Sequence, residues 1–194
     1  MQEYQKHLKE HGFVLIKDFF TPDVIQLCKS FLDLSFSYGL RKPESNPYLE
    51  GEITQILPSI FANSILLAYT PLLEQIFEAE LIPSYIFFRE YGRGSSLKIH
   101  RDRDVCEYST TILINKDGEG ISSLVFCDDE EGTNPVEVIL EEGDAIIFKG
   151  AKNYGGRWHY RPKVEQNSIT QVFLHYVSPG NTPEDIFPRP IYRN

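Results

Sequence analysis

A chain of 194 residues, 41% hydrophobic and 24% charged, is expected to form one soluble globular domain with a core of its own. Its net charge of −9 argues against nucleic acid and against an anionic membrane as partners, because both are bound by clustered Lys and Arg. Cys28, Cys106 and Cys127 are odd in number and widely spaced, which argues against a disulfide framework or a zinc-finger pattern.

The opening MQEYQKHLKE is polar and unlike a signal peptide, and no apolar run reads as long enough to span a membrane. A cytoplasmic protein is the expectation. Residues 1–83 carry helical patterns and read as a support and lid region. GFVLIK reads as a short strand. FFTPDVIQLCKSFLDL opens a helix with Thr21 as N-cap, Pro22 at the first helical position and Asp23 near the positive end. That helix places Val24, Leu27, Cys28, Phe31 and Leu32 on one face. The polar stretch SYGLRKPESNPYLEG, residues 37–51, reads as a long loop, and long loops in small domains often cap a site. A second helix is expected around SILLAY, and Thr70-Pro71 repeats the cap-and-proline start for a third, PLLEQIFEAE.

From residue 84 short apolar runs alternate with turn residues. YIFFREY (85–91), SLKIH (96–100), YSTTILIN (108–115), SSLVFC (122–127), VEVIL (136–140), AIIFK (145–149), RWHYR (157–161) and ITQVFLHYV (169–177) read as strands. The segments between them are rich in Gly, Asp, Asn and Pro, which is turn chemistry. The expected fold is mainly β with N-terminal helices: a double-stranded β-helix, or jelly roll, of about eight strands over residues 84–178. Residues 179–194 are proline-rich and read as a surface tail.

Within KIHRDRD, His100 and Asp102 lie two apart at the end of a predicted strand, so both side chains share a face. The pairing suits a metal ion at the mouth of a β-cup, and equally a buried pair in which Asp102 orients His100. A metal needs a further ligand. His7 and His11 lie in the helical N-terminus, whereas His159 and His175 lie on predicted strands, His175 within a run that reads as core. Two histidines and one carboxylate with positions left open are the ligand set of non-haem Fe(II) oxygenases.

The run YIFFREYGRGSSLKIHRDRD…STTILIN…EEGDAIIFKG…WHYR…QVFLHYV resembles the Fe(II)- and 2-oxoglutarate-dependent dioxygenases, in particular their prolyl 4-hydroxylase-like branch. HGFVLIKDFFTPDVIQL is similar to the N-terminal strand and helix of that family. The resemblance implies that His100, Asp102 and His159 hold Fe(II), with 2-oxoglutarate and O2 as co-substrates. It implies hydroxylation of an unactivated C–H of a small molecule, or of an amino-acid or peptide substrate, with release of succinate and CO2.

The family anchors 2-oxoglutarate with a cation a little beyond the distal histidine. Here that region reads KVEQNSITQVF and holds none at the expected place. Arg161 is one candidate, because it shares the face of His159 and a hairpin turning near 163–167 brings the next strand beside it. Its planar fork suits a carboxylate. Lys98, read as alternating onto the face of His100, is the second. Thr110, Thr111, Tyr85 and Gln171 offer hydroxyl or amide hydrogen bonds, while Arg89 and Arg103 suit an anionic group on the substrate. Two rivals stand beside this reading. One is a cupin-type metal enzyme with Glu107 as fourth ligand and no use of 2-oxoglutarate; the other is a non-catalytic jelly-roll binding module. No feature of the sequence sets an oligomeric state.

Overall fold

The computed structural model describes residues 1–56 and 59–181. In chain order its elements are α1 (Gln2–His11), β1 (Phe13–Ile16), α2 (Pro22–Ser37), β2 (Lys42–Pro43), β3 (Leu49–Glu50), β4 (Ile53–Ile56) and α3 (Ile60–Phe77). Then come β5 (Ile82–Gly92), β6 (Ser96–His100), β7 (Tyr108–Asp117), β8 (Ser122–Cys127), β9 (Val136–Leu140), β10 (Ala145–Lys149), β11 (Trp158–Arg161) and β12 (Ser168–Val177). The eight strands expected from residue 84 onward are β5 to β12. Most of the expected surface tail lies outside the described residues.

The strands form two antiparallel sheets facing each other. One has the order β1-β10-β7-β12-β5-β4-β2, the other β3-β6-β11-β8-β9. The chain alternates between the sheets as it winds, which is the double-stranded β-helix. Period-two alternation gives the larger sheet two unlike faces. Ile86, Phe88, Ile112, Val172, Leu174 and Tyr176 pack against Phe20, Cys28, Leu32, Leu66, Leu73 and Ile76 beneath the helices. Phe13, Leu113, Leu124, Phe126, Leu140, Ile146 and Phe148 fill part of the space between the sheets. The open remainder of that space is the cavity described below.

Three N-terminal expectations need correction. The two helices expected on either side of Thr70-Pro71 are one helix, α3, with Pro71 inside it and Ser59 rather than Thr70 as cap, its hydroxyl accepting from Ala62 N–H. The turn before Pro71 has one local and one tertiary bond, since the Leu66 carbonyl accepts from Thr70 Oγ1 of the same helix and from Tyr176 Oη of β12. On α2, Cys28 and Leu32 are buried and Val24 and Phe31 pack against the same core as expected, whereas Leu27 is 56% exposed and Ile25 takes a buried place. Thr21 occupies the N-cap position without a side-chain capping bond. α3 is also long and apolar enough, by length and composition alone, to cross a membrane, contrary to the reading of the sequence; here it lies against the sheet through Ala62, Ile65, Leu66, Leu73 and Ile76.

The stretch read as one long loop begins inside α2 and contains two short strands. β2 pairs with β4 at the edge of the larger sheet, and β3 pairs with β6 at the edge of the smaller. Residues 44–48 therefore cross from one sheet to the other, over the space between them.

Candidate metal centre

β6 and β11 are neighbours, and their register sets His159 directly opposite His100. Asp102 lies just beyond β6. Its backbone is tied to the segment just after β10: its N–H donates to the Gly150 carbonyl at 2.8 Å, and its carbonyl accepts from Lys152 N–H at 3.0 Å. A Cβ at Gly150 would overlap the Asp102 carboxylate and Ser109 Oγ, so the close approach requires glycine there. A ligand atom from each of His100, Asp102 and His159 then lies within 4.8 Å of the other two. His100 Nε2 is 3.4 Å and His159 Nε2 3.6 Å from Asp102 Oδ1.

The atoms not facing the centre are all engaged. His100 Nδ1 lies 2.9 Å from the Lys98 carbonyl and His159 Nδ1 3.0 Å from the Arg157 carbonyl. A carbonyl can only accept, so each Nδ1 carries the proton and each Nε2 presents a lone pair inward. Ser109 Oγ donates to Asp102 Oδ2 at 2.9 Å and lies 3.1 Å from His175 Nδ1. One carboxylate oxygen is thereby occupied and the other left for the centre.

Charge states agree with this arrangement. Burial pushes His159 down to about 4, joined by the nearby His100 and opposed by the Asp102 carboxylate, so its imidazole is neutral at pH 7. Burial alone would raise the Asp102 carboxyl, but the His159 and His100 imidazoles hold it well below the usual carboxylate range. A neutral imidazole at His159 and an ionised carboxylate at Asp102 are the states in which these two groups bind a divalent cation.

The triad stands in a cavity of about 580 Å³ between the sheets, roofed by Glu44, Asn46, Pro47 and Tyr48 of the crossing segment. The Tyr48 ring lies 5.3 Å from that of His100. Of the candidates for 2-oxoglutarate, Arg161, Gln171 and Tyr85 line this cavity. Arg161 is 3% exposed. Its Nη1 donates to the Ser123 carbonyl at 2.8 Å and its Nη2 to Gln171 Oε1 at 2.6 Å, while Arg161 Nε and Gln171 Nε2 are buried without a hydrogen-bond partner. Its guanidinium also lies 5.1 Å from the centre of the Tyr91 ring. Tyr85 Oη lies 3.0 Å from Cys106 Sγ and accepts from Arg103 Nη2.

Lys98 and Thr110 are placed elsewhere. β11 opposes Arg161 to Leu97 although it opposes His159 to His100, so β6 carries one extra residue between the two pairs. This bulge reverses the alternation, turning Leu97 into the cavity and Lys98 outward to an ion pair with Glu50 at 3.1 Å. Thr110 sits beside Leu174 on the face toward the helices; its neighbour Thr111 sits beside Phe173 and lines the cavity. Glu107, the fourth ligand of the cupin reading, is not at the triad: its Oε2 accepts from Ser178 N–H, Ser178 Oγ and Asn181 Nδ2.

Sequence reasoning missed two features. Ser109 lies on the cavity face of β7 and carries no motif. Arg89 is paired with Glu44 of the crossing segment, Nη2 to Oε1 at 2.5 Å and Nε to Oε2 at 2.7 Å, across 45 positions of sequence. Only the edge pairing of β2 and β4 makes that pair visible.

The residues fit a ferrous ion and a dicarboxylate. The donor set is two imidazole nitrogens and one carboxylate oxygen, with the cavity open on the remaining sides. Arg89 has its carboxylate in Glu44. Among the described residues Arg161 has only neutral partners, and a buried guanidinium without a counter-charge is costly until an anion joins it.

The fold is that of the 2-oxoglutarate- and Fe(II)-dependent oxygenases. An oxidoreductase of the 2OG-Fe(II) oxygenase family from Burkholderia pseudomallei superposes with a TM-score of 0.74 at 16% identity, over 94% of this chain and 93% of its own. A prolyl-4-hydroxylase from Pseudomonas putida gives 0.70 at 17% identity, covering 92% and 99%. HygX from Streptomyces hygroscopicus, solved with nickel, 2-oxoglutarate and hygromycin B bound, gives 0.71 at 10% identity, covering 92% and 88%. No family model and no curated protein sequence matches the chain.

Proposed function

We propose that this protein is an Fe(II)- and 2-oxoglutarate-dependent oxygenase that hydroxylates a C–H bond of a small-molecule or amino-acid or peptide substrate. The observation that carries the reading is the triad itself: His100, Asp102 and His159 converge with their Nδ1 atoms tied to carbonyls and the cavity open beside them. When bound, the ferrous ion and 2-oxoglutarate activate O2, and succinate and CO2 leave as the substrate gains a hydroxyl.

The chain's own residues supply the setting. His100 and His159 would hold the metal through Nε2, and Asp102 would offset part of its charge through Oδ1. Ser109 holds the second carboxylate oxygen and so fixes the plane of the group. Arg161 and Gln171 receive the distal carboxylate of 2-oxoglutarate, with Arg161 Nε and Gln171 Nε2 as the free donors. Phe87, Leu124, Phe148 and Phe173 wall the cup with apolar surface and exclude water. Residues 44–48 close the cup from above as a lid, and the Arg89–Glu44 pair fastens them.

The test is an anaerobic titration with Fe(II) and then 2-oxoglutarate, watched for the weak visible metal-to-ligand charge-transfer band of such a chelate. The band is expected with both components and absent in His159→Ala. Iron binding without a band would point to a metal enzyme that does not use 2-oxoglutarate. No iron binding would make the triad structural and the protein a binding module.

A further inference from the structure

The oxygenase reading employs the triad, Arg161 and the Arg89–Glu44 pair, and leaves two arginines at the mouth of the cup without a task. Arg101 and Arg103 flank Asp102 in the chain, and both line the cavity. Among the described residues the arginine ion pairs are those of Arg41, Arg89 and Arg157. Arg103 is held instead by Tyr85: its Nη2 donates to the phenol oxygen at 3.0 Å, and its guanidinium carbon lies 5.8 Å from the ring centre. Arg101 lies over Trp158, 4.5 Å from the ring centre, with its Nε buried and unpartnered. Aromatic faces therefore position two guanidinium forks at the entrance, neither in an ion pair with a described residue.

The charge of the cavity points the same way. Its wall carries four arginines against two carboxylates, Glu44 and Asp102. That surplus of two positive charges lies within a chain of net charge −9. A ferrous ion and the 2-oxoglutarate dianion cancel, so the surplus persists after both bind. A concave site with low-dielectric walls focuses such a field on whatever enters.

We propose that the substrate is a small molecule bearing an anionic group, a carboxylate or a phosphate, held by Arg103 with Arg101 beside it. The proposal rests on the oxygenase reading, which puts the substrate over the triad. Arg103 lines the same cavity as His100, Asp102 and His159, so an anion on its fork shares the compartment of the metal site. A cavity of about 580 Å³, shared with 2-oxoglutarate, has the capacity for a small molecule of this kind.

The experiment uses the full chain, loaded anaerobically with Fe(II) and saturating 2-oxoglutarate. Benzoate, its neutral counterpart benzamide, and phenyl phosphate are the probes; perturbation of the charge-transfer band and the thermal midpoint are the readouts. At least one anion is expected to saturate, with benzamide about tenfold weaker or worse. Arg103→Gln is expected to remove that preference and Arg103→Lys to restore part of it. Preference for benzoate assigns a carboxylate, and preference for phenyl phosphate assigns a phosphate. Equal binding of benzoate and benzamide with none of phenyl phosphate overturns the proposal, as does no binding of either anion, or a preference that survives Arg103→Gln. Failure of the band to form before any probe is added overturns the oxygenase reading instead.

Discussion

Along β12, Val172, Leu174 and Tyr176 point toward the helices, while Gln171, Phe173 and His175 point into the cup. β7 repeats the division, with Tyr108, Ile112 and Ile114 on one side and Ser109, Thr111 and Leu113 on the other. The same strands thus make two unlike surfaces. Toward the helices, apolar side chains close on one another, and buried area there supplies folding free energy. Toward the cup, hydroxyl, amide, imidazole and guanidinium groups stand at a cavity, and Arg161 Nε and Gln171 Nε2 keep donors without acceptors. One face is closed by the apolar side chains of the helices and the other borders an open cavity.

This comparison predicts that substitutions separate into two kinds. The largest effect on the cup side is expected from His159→Ala or Asp102→Ala: loss of Fe(II) binding in anaerobic equilibrium dialysis, with a smaller change in urea midpoint than any large-to-small change on the helix side. Leu174→Ala, at a fully buried position, is expected to cost about 2–5 kcal/mol in urea unfolding while the folded fraction keeps its Fe(II) affinity. A joint loss of stability and metal binding in both variants would abolish the distinction.

Smaller effects sharpen it. Arg161→Ala removes charge-assisted hydrogen bonds of about 1.5–3 kcal/mol in all, so the 2-oxoglutarate Kd is expected to rise about 10- to 100-fold with Fe(II) affinity unchanged. An unchanged Kd would leave Arg161 as a link from β11 to Ser123 and Gln171 alone. Ser109→Ala frees Asp102 Oδ2 and is expected to weaken Fe(II) about tenfold in the same dialysis.

The pH dependence also belongs to the cup face. Burial foremost holds His159 and His175 down to about 4, against an ordinary value of 6.5. As pH falls from 6.5 toward 4, the unfolded chain takes up protons that the native metal-free protein refuses, so native stability declines across that window. Urea titrations at a series of pH values are expected to show the decline, and to show less of it in His175→Gln. An identical slope in the variant would place the pH dependence elsewhere.

The eight strands of the jelly roll were legible because each is a short apolar run bounded by Gly, Asp, Asn or Pro. His100 and Asp102 were legible because they are local to one strand end. His159 was assignable only through resemblance, since alternation alone could not exclude His175. Arg161 was legible by parity with His159, although the hairpin expected beside it does not form because β11 and β12 lie in different sheets, and parity failed for Lys98 because a single extra residue in β6 inverts the alternation. Thr110 and Thr111 are chemically identical neighbours on β7, and nothing in their local sequence says which of them faces the cup.

The sequence by itself determined the eight strands from residue 84 onward, the turn chemistry, the i, i+2 geometry of His100 and Asp102, and the acidic balance of the chain. Those properties depend on residues a few positions apart. Tertiary structure decided the rest: that α3 runs through Pro71, where Tyr176 Oη from β12 reaches the Leu66 carbonyl; that the stretch read as a loop bridges two sheet edges; and that Glu44 meets Arg89. It also decided that no carboxylate among the described residues pairs with Arg161, and that Arg101 and Arg103 line the cavity. Each of these depends on register and bulge position between strands distant in sequence, and pairing free energy is summed over the whole sheet rather than written in any one segment.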